Sequence, residues 1–167
     1  MLKNLKSITV LVLVLILGTV CLSAQQWEVV KSAKWQAKFN DVFFLDNSNQ
    51  VGWIVGSHST ILHTKDGGKN WERQPTVPFP SSFDKIELNK IRFISSTMGW
   101  VCGDNGTVLK TIDGGKTWDK LNTSTNTVLG AITFADENNG WAGGDGGYVT
   151  HTSDGGRSWK AQDTKTN

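Results

Sequence analysis

The chain has 167 residues, with 17 Lys and Arg against 15 Asp and Glu, and it carries 8 Trp and 2 Cys. Two of the basic residues, Lys3 and Lys6, sit in an N-terminal export segment, so the remainder is charge-balanced and keeps one cysteine, Cys102. Near-neutrality argues against a nucleic-acid partner held through phosphate contacts, and a lone cysteine excludes an intrachain disulfide.

Lys3 and Lys6 form a basic start, residues 8–17 a nearly unbroken apolar run, and Leu22-Ser23-Ala24 a small-residue cleavage region. Residues 1–24 therefore read as a signal peptide, because the apolar run is short for a spanning helix. The expected location is periplasmic or extracellular, with membrane contact only through the signal segment. A lipoprotein anchored through Cys21 ranks below this, since Gly18-Thr19-Val20 is a poor lipobox. The mature domain would be 25–167. It opens on Trp27-Glu28-Val29-Val30-Lys31, which reads as the last strand of a repeat unit without its first three.

Three full units follow, over about 38–75, 86–123 and 128–163. Each begins with an apolar-x-Phe triplet: Val42-Phe43-Phe44, Ile91-Arg92-Phe93 and Ile132-Thr133-Phe134. A Gly-Trp segment comes second, with Trp53, Trp100 and Trp141. Thr60-Ile61-Leu62-His63-Thr64 and its equivalents come third. Trp71, Trp118 and Trp159 open the fourth strand, each 18 residues after the Gly-Trp tryptophan. Before each closing Trp lies the box Thr-x-Asp-Gly-Gly-Lys/Arg-x-Trp, whose aspartates are spaced by 47 and 41 residues. Alternation, β-branched residues and Gly/Asn/Asp turns argue for four short strands per unit. Four-stranded units repeating every ~40–50 residues are propeller blades. The expected fold is all-β: a β-propeller of four-stranded antiparallel blades, three blades plus one extra N-terminal strand, in an incomplete ring. Its open flanks call for blades missing from a truncated chain, or for a second copy, two chains making six blades.

The boxes carry structural expectations for Asp66, Gly68, Trp71, Asp113, Gly115, Trp118, Asp154, Gly156 and Trp159. The carboxylate should accept hydrogen bonds from backbone N–H groups one to three residues on. The glycines should supply positive φ, and the Trp should cover the turn. A catalytic carboxylate is rarely needed three times in the same turn.

No catalytic constellation emerges. A sialidase site needs three clustered Arg and a Tyr nucleophile, and the chain has only Arg73, Arg92, Arg157 and Tyr148. Arg157 lies inside a box, and Tyr148 replaces the threonines Thr60 and Thr107. No carboxylate pair has a glycosidase motif. No metal or cofactor is expected: His63 and His151 occupy a position held by Lys110 in the middle unit, which reads as solvent-facing, and no Cys or His pair has metal spacing.

The unit as a whole resembles the photosystem II stability/assembly factor type of β-propeller, which carries Asp-box (BNR-type) repeats. The resemblance rests on apolar-x-Phe, Gly-Trp-x-x-Gly and Thr-x-Asp-Gly-Gly-Lys-Thr-Trp in register, and covers nearly all of 27–163. It implies a non-catalytic, exported propeller that binds proteins and assists assembly, with surface Arg helping to hold the partner. The rival is a fragment of an Asp-box carbohydrate-active protein of sialidase or xyloglucanase type.

A partner is expected on the face opposite the boxes, where the turns between second and third strands carry His58, Asp104 and Asp145. The Pro-rich insertion after Trp71 adds Phe79 and Phe83, and Arg92 follows it. The expected partner is a protein; self-association to close the ring is a further option, and a glycan ranks lower.

Overall fold

The computed structural model describes residues 36–45, 49–75 and 86–164, all within the unit Ala33–Asn167. The signal segment, the strand expected at Trp27, and Phe79 and Phe83 lie outside the described residues. Blade 1 consists of β1 (Phe39–Phe44), β2 (Gly52–Gly56), β3 (Thr60–Thr64) and β4 (Glu72–Arg73). Blade 2 consists of β5 (Leu88–Phe93), β6 (Gly99–Gly103), β7 (Val108–Thr111) and β8 (Asp119–Leu121). Blade 3 consists of β9 (Leu129–Phe134), β10 (Gly140–Gly144), β11 (Tyr148–Thr152) and β12 (Lys160–Gln162). Each is a four-stranded antiparallel sheet with strands in sequence order, and neighbouring blades meet mainly through their first and second strands. The architecture is that of an incomplete β-propeller.

The Gly-Trp pair explains how one blade packs on the next. The glycine makes room for a phenylalanine of its own blade: a Cβ on Gly52, Gly99 or Gly140 would lie 2.5–2.7 Å from the ring of Phe44, Phe93 or Phe134. The tryptophan points the other way, because successive strand residues face opposite sides. Trp53 stacks on Phe93 and Trp100 on Phe134, with centroids 3.6 Å apart in both pairs. The closing Trp118 and Trp159 meet the same phenylalanines edge-on, at 6.0 and 6.1 Å. Such aromatic clusters dominate core energetics through the area they remove from water. One apolar cluster thus joins Trp53, Val55 and Ile61 to Ile91, Phe93 and Trp118, and a second joins Trp100, Cys102 and Val108 to Ile132 and Phe134.

Each first strand also carries a β-bulge at the same place, with Asn40, Asn89 and Gly130 as the extra residues. The bulged asparagines reach forward. Asn40 Nδ2 donates to the Leu88 carbonyl at 3.0 Å, and Asn89 Nδ2 to the Leu129 carbonyl at 3.1 Å. The hydrophobic pattern does not announce this staple, because a register irregularity belongs to the pairing and not to either strand alone. Cys102 is fully buried between blades 2 and 3. Burial, helped by the Asp41 carboxylate, pushes its thiol up to about 12. It packs there as a small hydrophobe.

Candidate functional site

The Asp boxes connect the third and fourth strands of each blade. Thr64 Oγ1 donates to Asp66 Oδ1 at 2.9 Å and accepts from Gly68 N at 2.9 Å. Asp66 Oδ1 accepts from Asn70 N at 2.9 Å, and Oδ2 from Asn70 Nδ2 at 2.7 Å. Blades 2 and 3 repeat the arrangement with Thr117 and Ser158 in the place of Asn70. The carboxylate therefore reaches four residues on, one further than the simple Asx turn expected, because two left-handed glycines lengthen the loop. Gly67 and Gly68 have φ of 70° and 85°, and the other boxes match. The Trp lies over the second glycine, where a Cβ on Gly68 would touch the Trp71 ring at 3.4 Å.

Every box carboxylate is thus committed to its own turn. The Asn70 backbone and side-chain donors hold Asp66 at about 2. The Ser158 donors hold Asp154 lower still. At Asp113 burial opposes the shift, but the Thr117 and Thr111 bonds outweigh it and its value is also lowered. A depressed folded-state value means stability present above the ordinary carboxylate value near 4 and lost as pH falls through about 2. Acid titration followed by circular dichroism should show stability declining across this window, with a shallower decline in Asp66→Asn.

The opposite face carries the turns between second and third strands. His58 and Ser59, Asn105 and Gly106, and Gly146 and Gly147 all have positive φ, between 51° and 73°. Positive φ at both central positions is the type I′ hairpin geometry. Blades 2 and 3 meet it with Asn or Gly, whereas blade 1 forces it on His58 and Ser59. His58→Gly, at the exposed position of the pair, should therefore raise the unfolding free energy by about 1 kcal/mol, read from the denaturation midpoint; a loss of stability would contradict this account of the turn.

The structure puts His58, Asp104 and Asp145 one on each of these turns. His58 is exposed, and its Nδ1 lies 3.1 Å from Ser57 Oγ. Asp104 accepts from Asn89 Nδ2 at 3.2 Å. Asp145 is exposed. Beside the middle turn lies an open cavity of about 320 Å³, lined by Asn105, Lys120, Asn122, Thr123, Thr125 and Asn126 among others. These polar residues carry no motif of their own and were not singled out from the sequence. Arg92 stands apart from this cluster. Its guanidinium donates to Asp41 Oδ2 at 3.2 Å and to the Ile91 carbonyl at 2.7 Å, and lies 5.7 Å from the Phe43 ring centre. Lys90 Nζ shares the same carboxylate at 3.2 Å, so Asp41 ties blade 1 to blade 2.

The reading of His63, Lys110 and His151 as solvent-facing needs correction. Each lies directly across from a Gly-Trp tryptophan in the strand register. His63 stacks on Trp53 at 5.0 Å, Lys110 Nζ lies 5.2 Å from the Trp100 ring, and His151 lies 4.7 Å from that of Trp141. Burial, with Lys65 nearby, lowers His63, and burial, with Arg157 nearby, lowers Lys110. These flat or long side chains lid the indole. Among the described residues no three His, Cys, Asp or Glu side chains converge on a metal-sized site.

A family model described as photosynthesis system II assembly factor YCF48 matches residues 20–129 and again 74–167. The chain belongs to this family. The photosystem II assembly lipoprotein Ycf48 of Trichormus variabilis is 40% identical over 75 residues, 42% of this chain and 22% of its own length. The solved YCF48 from Cyanidioschyzon merolae gives a TM-score of 0.71 at 25% identity, over 81% of this chain and 42% of that one. A solved YCF48 bound to D1 peptide gives 0.65 at 27% identity, over 75% and 39%. An ancestral GH74 enzyme gives 0.58 at 16% identity, over 77% and 18%, and shares the fold alone. The chain thus spans less than half the length of these Ycf48 relatives. The Trichormus variabilis relative is named a photosystem II assembly lipoprotein. The lipoprotein name counts against ranking Cys21 lipidation below simple cleavage, a ranking that rested on the poor fit of Gly18-Thr19-Val20 to a lipobox.

Proposed function

We propose that the chain is an exported, non-catalytic propeller module that binds a polypeptide partner and serves complex assembly. The observation that carries this reading is the Ycf48-type repeat running through all three blades, together with a relative of the same fold that is bound to D1 peptide. The contact surface is the face of His58, Asp104 and Asp145, with Phe79 and Phe83 supplied by the Pro-rich insertion. The box carboxylates are spent on their own turns, whereas this face offers exposed side chains and a polar cavity. Loops held on a rigid sheet scaffold are where recognition residues concentrate. Arg92 acts behind the surface, holding blades 1 and 2 together through Asp41. A second polypeptide contact is self-association through the open blade faces. Export as a lipoprotein anchored through Cys21 completes the reading, and Cys21→Ser should then move the chain from the membrane fraction to the soluble one.

Calorimetric titration with the D1 peptide tests the binding role. Saturable binding near one peptide per chain supports it. Absence of binding, combined with hydrolysis of a xyloglucan or sialoside, would replace it by the carbohydrate-active reading.

A further inference from the structure

The segment between blades 2 and 3, residues 122–127, folds back onto the turn that joins β6 to β7. Thr123 is buried, and its Oγ1 donates to the Gly106 carbonyl at 2.6 Å. Gly106 N–H donates in turn to the Thr127 carbonyl at 2.8 Å. Gly106 also fits so closely against the Thr125 carbonyl that no Cβ could stand there. The segment holds its own shape as well. Ser124 N donates to Asn122 Oδ1 at 3.0 Å, and Thr127 N to Thr125 Oγ1 at 3.1 Å. Thr123 therefore turns inward, while Asn122 and Asn126 are exposed. With the exposed Asn105 they line the open cavity of about 320 Å³ beside the turn.

This lining holds unused hydrogen-bonding capacity. Among the described residues the side-chain amides of Asn105 and Asn126 have no hydrogen-bond partner, and Asn122 uses its Oδ1 alone. A carboxamide carries the same donor and acceptor as a peptide unit, so the two pair side by side. Oδ1 accepts a main-chain N–H while Nδ2 donates to a main-chain carbonyl. The lining residues include no aromatic ring and no carboxylate. They give a sugar ring nothing to stack on and a cationic side chain no counter-charge. Their one cation, Lys120, suits carbonyl oxygens. Blades 1 and 3 lack the arrangement. His58-Ser59 and Gly146-Gly147 put no amide at the place of Asn105. Arg73, the blade 1 counterpart of Lys120, donates to the His58 carbonyl of its own turn at 3.2 Å.

We propose that this cavity binds the main chain of an extended polypeptide segment through the carboxamides of Asn105, Asn122 and Asn126, a role that rests on the polypeptide-binding reading above and names its chemistry. An extended chain offers a row of unpaired N–H and carbonyl groups along its edge. Asn105 and Asn126 each pair with one peptide unit, and Asn122 Nδ2 donates to a further carbonyl. The bonds that fix residues 122–127 hold the amides in place before the segment arrives, so little ordering is left to binding. Recognition of this kind reads the main chain and tolerates changes of side chain. Selection among partners then falls to His58 and Asp145 on the neighbouring turns.

Calorimetric titration of the full chain with D1 peptide, and with a set of D1 peptides each methylated at one main-chain nitrogen, tests this. The chain is compared with the double variant Asn105→Gly, Asn126→Ala. Glycine keeps the left-handed φ of 54° at position 105, and position 126 is exposed, so the fold is preserved. The double variant should bind D1 peptide about tenfold more weakly. Methylation at one or two positions should cost the wild-type chain about tenfold and the double variant nothing further. If the double variant fails to fold, Asn126→Ala alone gives the same comparison. Equal affinity of wild type and variant overturns the proposal and leaves polypeptide binding standing. A loss in the variant with every methylation harmless makes the cavity a side-chain site, and overturns it too. Absence of D1 peptide binding to the wild-type chain removes the polypeptide reading itself, and the proposal with it.

Discussion

Trp100→Ala should lower the unfolding free energy by about 3–5 kcal/mol, measured by urea denaturation. Trp100 is fully buried, stacks on Phe134 at 3.6 Å and is lidded by Lys110. Removing the indole leaves a cavity between two sheets, and neither sheet can close it without breaking the Asn89 and Gly106 bonds that set the blade spacing. The informative control is Trp141→Ala, at the equivalent position of blade 3. With the chain monomeric, it should cost no more than about 1 kcal/mol, because no described blade covers Trp141. Equal costs at the two positions would show that tryptophan stabilises each blade from within and not the joint between blades.

Gly103→Ala should cost at least about 3 kcal/mol, although it adds a single methyl group. The added Cβ would lie 2.1 Å from the Glu87 carbonyl oxygen and 3.1 Å from the Leu88 Cα. Both atoms are backbone, held by the bulge at Asn89 and by the Asp104 N–H bond to the same Glu87 carbonyl at 3.0 Å. No rotamer change relieves such a contact; β5 must lift off β6. Gly143→Ala is the matched control, since the nearest atom to its Cβ is 3.7 Å away. It should be neutral within about 0.5 kcal/mol. A mild effect at Gly103 would mean the bulge is plastic.

The blades were legible because their marks are local. A Gly before Trp, a Phe closing the first strand and an Asp-Gly-Gly turn each recur at fixed spacing, and each has one physical use. The joint between blades was less legible. Asn40 and Asn89 look like ordinary strand-start residues until the bulge turns them toward the next sheet. Asp41 and Arg92 gain their meaning only when β1 and β5 lie side by side. His63 and Lys110 looked interchangeable and therefore exposed, but what they share is the ability to cover an indole. The candidate surface was the hardest to read, because the polar residues around Asn105 and Thr123 carry no motif and converge only through the turn and loop of blade 2.

The central claim is that a rigid stack of Asp-box blades presents its opposite face to a polypeptide. Hydrogen exchange of the chain, with and without D1 peptide, tests it most directly. The account predicts added protection at residues 57–59, 104–106 and 145–147, with the boxes at 64–71, 111–118 and 152–159 unchanged. Protection confined to the boxes would contradict it, and would place the partner on the face assigned here to structure alone.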